Sequence, residues 1–202
     1  MIYNKEKGIL YVGSVCMAIL KHENGATYTY ADYLTWTEDE RWELIDGVPY
    51  NMSPAPKRLH QEIVFYITRV LGEYLEGKNC RGYNAPFDVR LTEHDESSDE
   101  QVETVVQPDL LVVCDESKLD ERGCIGAPDV VFEILSEQTA YKDESVKFHL
   151  YEKYGVREYW IVNPDGRYIE VFTLNEEGCY DFPRFYREAG SAESLVLERF
   201  LP

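Results

Sequence analysis

Apolar positions recur with helical spacing over residues 58–76, RLHQEIVFYITRVLGEYLE. At about 100° per residue, Leu59, Ile63, Tyr66, Ile67, Val70, Leu71 and Tyr74 fall on one arc, which predicts a long amphipathic helix. His60 lies inside that arc, between Ile67 and Leu71. A second helix is predicted over about 140–154, with Gly155 as its stop. On its wheel Val146, Leu150, Tyr151 and Tyr154 form the core-facing stripe, with Asp143 and Lys147 in the middle of it. Lys142, Glu144, Ser145, His149, Glu152 and Lys153 fall on the opposite, solvent side.

The other apolar runs read as strands. WELI and VPYNM flank Asp46-Gly47, a hairpin signal, and follow a short helix from about Tyr30. Further strands are expected at about 85–91, 105–114, 129–135, 157–162 and 167–174, and ESLVLERF reads as a last short strand or a frayed end. Pro54 and Pro56 mark a loop. There is no internal repeat, and the order of elements predicts an α/β or α+β sheet packed by two principal helices.

One polar residue breaks the strand at 129–135, DVVFEIL. Glu133 stands among Val130, Val131, Phe132, Ile134 and Leu135, and an isolated ionised carboxylate there would cost several kcal/mol. It must be paired, protonated or metal-bound, and a structural salt bridge would satisfy it as well as a metal would. Asp109 opens another apolar strand directly after Pro108. Two carboxylates from neighbouring strands can converge on Mg²⁺, which commonly uses one or two carboxylates plus water and phosphate. A turn or cap role would also explain Asp109. Asp143 and Lys147 could be an ordinary i,i+4 pair, or the helix could deliver Lys147 to the sheet's carboxylates.

Charge and cysteine content narrow the picture. The 202-residue chain carries a formal charge of −18, which argues against a broad basic face for nucleic acid and leaves room only for a local one. The stretch 92–103 holds six acidic residues and no Lys or Arg. The five cysteines show no CxxC pair, so a zinc ribbon is unsupported, and their spacing suggests free thiols in a reducing cytoplasm. Near the start, Lys5 and Lys7 precede the 12-residue apolar run ILYVGSVCMAIL, too short to span a membrane. No A-x-A-like site follows it, so a loosely packed strand, or an extension ahead of a true start at Met17, fits better than a signal peptide.

The ordered series DYLTW…RWELIDGVPYNMSPAP…HQ, QPDLLVV and GAPDVVFEILSEQT…KDESVKFHLYEKYGVREYWIVNP resembles the Uma family of putative restriction endonucleases, within the PD-(D/E)XK nuclease superfamily. The resemblance runs from about Tyr28 to Phe172. It implies a restriction-endonuclease-like α/β core, a mixed central β-sheet flanked by helices, in one domain over 28–202 after an N-terminal extension, 1–27. It implies a DNA endonuclease using Mg²⁺ or Mn²⁺, with Asp109 and Glu133 as metal ligands and Glu43 of WELIDG completing them. Leu135 stands where the motif's lysine is usually read, and Lys147 matches the lysine displaced to the following helix. Asp143 and His60 match supporting positions. Asp129, of a second Pro-Asp, is a decoy, because the metal pair should come from different strands. Lys57, Arg58, Arg81 and Arg90 are the cations expected near the site. Double-strand cutting would suggest a homodimer. A catalytically silent binding or regulatory module is the competing reading, and a two-carboxylate glycosidase a more distant one. Lys147's distance from the acids discriminates the first two.

Overall fold

A computed structural model describes residues 2–4, 9–12, 15–18, 27–36, 41–52, 55–93, 98–137, 139–187 and 191–197. At the N-terminus, β1 (Ile2–Asn4), β2 (Ile9–Val12) and β3 (Val15–Ala18) form an antiparallel sheet that takes in most of the first apolar run. Residues 13–14 and 19–20 of that run, Pro54 of the expected loop, part of the acidic stretch at 94–97, and the end of the last predicted element at 198–200 lie outside the described residues. Residues 195–197 of that last element form a turn.

The short helix α1 (Tyr30–Tyr33) begins at a capping box in which Thr29 and Asp32 satisfy each other's backbone N–H groups. The hairpin of β4 (Trp42–Ile45) and β5 (Val48–Asn51) follows. It turns at Asp46 and Gly47, whose φ values of 47° and 71° are the left-handed pair that such a turn requires. Helix α2 spans Arg58–Leu75. Then come β6 (Arg81–Asn84), β7 (Asp88–Arg90), β8 (Val105–Val106), β9 (Leu110–Val113), β10 (Leu119–Asp120), β11 (Gly123–Ile125) and β12 (Val130–Ile134). A π-helical segment, Lys142–Lys147, runs directly into α3 (Phe148–Tyr154), which stops at Gly155 with φ 84°. Strands β13 (Glu158–Asn163), β14 (Tyr168–Thr173) and β15 (Arg184–Arg187) complete the fold.

The expected single central sheet is replaced by two mixed six-stranded sheets, ordered β10-β11-β7-β8-β4-β5 and β15-β14-β13-β12-β9-β6. Prolines explain the difference. Each expected strand at 85–91 and 105–114 contains a proline, which has no N–H for a ladder. Pro86 separates β6 from β7, and Pro108 separates β8 from β9. In both cases the chain leaves one sheet and enters the other, so Asp109 sits where the two sheets part.

Alternation along β12 and β13 explains the layers. Val131, Leu135, Tyr159 and Ile161 share a core with Ile45, Val89 and Val106 of the first sheet and with Leu150 and Tyr151 of α3. On the other face Val130, Phe132, Ile134, Trp160 and Val162 pack against Ile67, Leu71 and Leu75 of α2. Burying each such side chain is worth about 1.5–3 kcal/mol. The predicted arc of α2 is wider than the face it buries: Leu59 and Tyr66 are 46% and 49% exposed.

The expectation of free thiols is corrected at one pair. The register Arg81↔Val113 carries Cys80 across from Cys114, and the two form a disulfide. Linear spacing could not show this pairing, because it depends on β6 and β9 being neighbours. Cys124 is a buried free thiol and Cys179 an exposed one. Among the described residues no helix is long and apolar enough to cross a membrane.

Candidate active site

Strand register brings the two principal acids together. β9 and β12 are antiparallel with Leu110 opposite Phe132, so the next pair along is Asp109 and Glu133, on one face and from different strands. Asp109 accepts from the Ile134 backbone N–H at 2.8 Å and from His60 Nε2 at 3.0 Å, both through Oδ2. His60 stands on the first turn of α2, and its Nδ1 is buried without a hydrogen-bond partner among the described residues. Asp129, the decoy, has a structural role: it accepts the Cys114 backbone N–H at 2.7 Å and pairs with Arg157 at 3.1 Å.

Lys147 reaches the acids from the helical segment that follows β12. Its Nζ lies 2.7 Å from Glu133 Oε1, 2.8 Å from Glu43 Oε1 and 3.8 Å from Asp143 Oδ1. Tyr151, one turn further along, donates to the same Glu133 oxygen at 3.0 Å. The bonds of Glu133 among the described residues fall on Oε1 and those of Asp109 on Oδ2. One oxygen of each acid is therefore left over.

Lys142 corrects the helical wheel. It was expected on the solvent side, yet it is 5% exposed and its Nζ lies 2.5 Å from Glu43 Oε2. At α-helical winding, residues five apart are about 140° apart. The segment Lys142–Lys147 is π-helical, with i→i+5 bonding, which stacks the two lysines on one side. Glu43 receives both, one on each oxygen, and also the Gln107 backbone N–H at 3.0 Å. Both Glu43 oxygens are thus engaged by buried lysines. Lys142, Gln107 and Tyr151 were not singled out from sequence. Tyr151 was visible as a stripe residue four places after Lys147, whereas Lys142 left no helical signal.

The Uma2 family, described as "Putative restriction endonuclease", matches residues 30–202. The chain belongs to the Uma2 family. Over 150 residues it is 26% identical to the "Uncharacterized protein slr1290" of Synechocystis sp., covering 73% of this chain and 74% of that protein. Its fold is similar to the crystal structure of "a putative nuclease belonging to DUF820" from Anabaena variabilis. The TM-score is 0.65 at 18% identity, over 84% of this chain and 90% of that one.

In this Uma2 chain the site gathers Glu43, Glu133 and Asp143 around the Lys147 ammonium, with Lys142 on Glu43 and Asp109 beside Glu133. Burial pushes the Glu133 carboxyl up to about 8; Lys147 opposes this, while Asp143, Asp109 and Glu43 add to it. Asp143 is raised to about 6, again chiefly by burial, against Lys147 and Lys142. Burial would raise Glu43 as well, but Lys142 and Lys147 together bring it down to about 2. The surrounding acids hold Lys147 well above its ordinary value despite its burial, which favours an ammonium that donates hydrogen bonds. Among the described residues no group of three or more His, Cys, Asp or Glu is arranged to hold a metal. The available donor set is the two-carboxylate pair Asp109 and Glu133, each with an oxygen to spare, which suits a hard cation that takes its other ligands from water and phosphate.

Proposed function

We propose that this Uma2 chain is a Mg²⁺- or Mn²⁺-dependent endonuclease that hydrolyses DNA phosphodiester bonds, built on a restriction-endonuclease-like core. The observation that carries the reading is the register-paired Asp109 and Glu133 with the Lys147 ammonium 2.7 Å from Glu133. A lysine more than about 8 Å from both acids would have spoken for a silent module. Asp109 and Glu133 would hold the cation through their spare oxygens. The bound metal would neutralise phosphate charge and lower the pKa of an attacking water.

The chain's own residues do the positioning. Tyr151 and Lys147 fix one Glu133 oxygen and so aim the other; His60 and the Ile134 N–H do the same for Asp109. Lys147 presents a permanent positive charge beside the acids, able to orient water and to stabilise charge that develops on phosphate. Glu43 and Asp143 hold that ammonium in place, and Lys142 satisfies the second oxygen of Glu43.

The test incubates purified protein with supercoiled plasmid and with single-stranded DNA in Mg²⁺, Mn²⁺ or EDTA, beside Asp109→Ala, Glu133→Ala and Lys147→Ala. Nicking by the wild type with metal, absent in EDTA and in all three variants, is the expected result. Nicking that survives the three substitutions would sink the assignment. The two-carboxylate donor set also keeps the silent binding module in view, and it would show as DNA binding with no cleavage under any metal.

A further inference from the structure

A nuclease site this acidic needs a cation to receive the substrate's phosphates, and the four expected candidates are all engaged with carboxylates. Lys57 pairs with Glu137, Arg58 with Glu62, Arg81 with Glu116 and Arg90 with Asp120. Arg41 differs from them. It is exposed and has no carboxylate partner among the described residues. Its Nε and Nη2 donate to the side-chain oxygen of Gln107, at 3.2 and 2.7 Å.

Gln107 is itself immobilised. It is 8% exposed, and its amide NH₂ donates to Asp88 at 2.8 Å and to the Tyr33 hydroxyl at 3.1 Å. Its oxygen is thereby fixed toward the guanidinium. A neutral acceptor orients Arg41 without cancelling its charge, and two of the five guanidinium N–H groups are used. Both residues belong to the segments that carry the acids. Arg41 precedes Glu43 by two positions on the same face, because the β4–β5 ladder extends through the Met52 N–H to the Arg41 carbonyl at 2.8 Å. Gln107 precedes Asp109 by two positions, and its backbone N–H binds Glu43.

We propose that Arg41, aimed by Gln107, binds a phosphate of the nucleic-acid strand lying across the site, next to the bond to be cut. The proposal rests on the endonuclease reading. Guanidinium suits the task because its planar donors match phosphate oxygens and it keeps its charge at every working pH. Held by an uncharged amide and with no carboxylate partner among the described residues, it offers an incoming anion a positive end beside the carboxylates.

The experiment measures binding of a fluorescent DNA duplex and a single strand to the full chain in Ca²⁺, by anisotropy across a series of KCl concentrations. It compares wild type, Arg41→Gln, Arg41→Lys and, as a remote surface control, Arg69→Gln. Arg41→Gln is expected to weaken binding about tenfold, the worth of one charge-assisted contact, and to reduce the salt slope by about 0.9, one phosphate. Arg41→Lys should keep the slope and lose part of the affinity, Arg69→Gln should match wild type, and thermal unfolding of all four should coincide. Wild-type affinity and slope in Arg41→Gln, or an equal loss in Arg69→Gln, would overturn the proposal. Arg41-dependent binding without cleavage in Mg²⁺ would support it while removing the endonuclease reading. Cleavage with no dependence on Arg41 would remove this inference alone, and absence of DNA binding by the wild type would remove both.

Discussion

Two buried glutamates, on neighbouring strands and opposite faces of one sheet, are satisfied in different ways. Glu158 on β13 is fully buried and accepts four donors: Arg184 at 2.8 Å, the Trp160 indole at 3.0 Å, the Ser194 hydroxyl at 2.5 Å and the Leu195 N–H at 2.9 Å. These bonds use both oxygens and tie β15 and the segment around 191–197 to the sheet. Glu133 on β12 is 3% exposed, and its donors among the described residues, Lys147 and Tyr151, both fall on one oxygen. It also faces three other acids. Burial of a carboxylate therefore does not by itself mark function. What distinguishes Glu133 is the imbalance of charge around it and an oxygen left over.

Substitutions should separate the two. Glu158→Ala is expected to cost about 3–5 kcal/mol, because it strands a buried network and frees the Arg184 guanidinium. Urea unfolding checks the cost, and DNA nicking per folded molecule should be unchanged. Lys147→Met should show the reverse pattern. Nicking falls by about a hundredfold or more, roughly 3 kcal/mol of transition-state stabilisation. Folding changes by less than about 2 kcal/mol, since Glu133 can keep its proton and Lys142 remains on Glu43. If Lys147→Met unfolds as readily as Glu158→Ala, the lysine is chiefly a structural counter-ion.

The pH dependence tests the same contrast at smaller amplitude. Glu133 is raised from 4.5 to about 8, so the folded chain keeps a proton that the unfolded chain has lost. Its contribution to stability therefore falls as pH rises from about 4.5 to about 8, the opposite of Glu43, whose contribution is lost as pH drops through about 2. Unfolding free energies from urea titrations at pH 5 and pH 8 should diverge less in Glu133→Gln than in wild type, by roughly 3 kcal/mol. Equal divergence would mean that Glu133 does not titrate in that window. The smallest effect is expected for Asp129→Asn, about 1 kcal/mol, with nicking unchanged, because the partner Arg157 is largely exposed and the Cys114 N–H keeps an acceptor.

Much of this was legible in the sequence where the signal is local. The long helix, the Asp46-Gly47 hairpin and the strands around β12, β13 and β14 follow from periodicity and turn chemistry. Glu133 stood out because it interrupts an apolar run. Glu158 did not, because it sits at the start of a strand beside Arg157, where a charge is unremarkable. Strands β6, β10, β11 and β15 carry too little apolar pattern to announce themselves, and the split into two sheets depends on two prolines acting at distant points. The Cys80–Cys114 pairing depends on that topology. Gln107 and Arg41 were missed because their relation crosses 66 residues of chain.

The winding of Lys142–Lys147 has a consequence for how this site could be lost. The convergence of two lysines on Glu43 depends on the phase of a helix as much as on the charged residues themselves. A change at a neutral position that lets the segment relax to ordinary α-helical winding would swing Lys142 away while leaving every acid and base in the sequence. Such a chain would look intact residue by residue, yet its lysines would no longer meet at one glutamate.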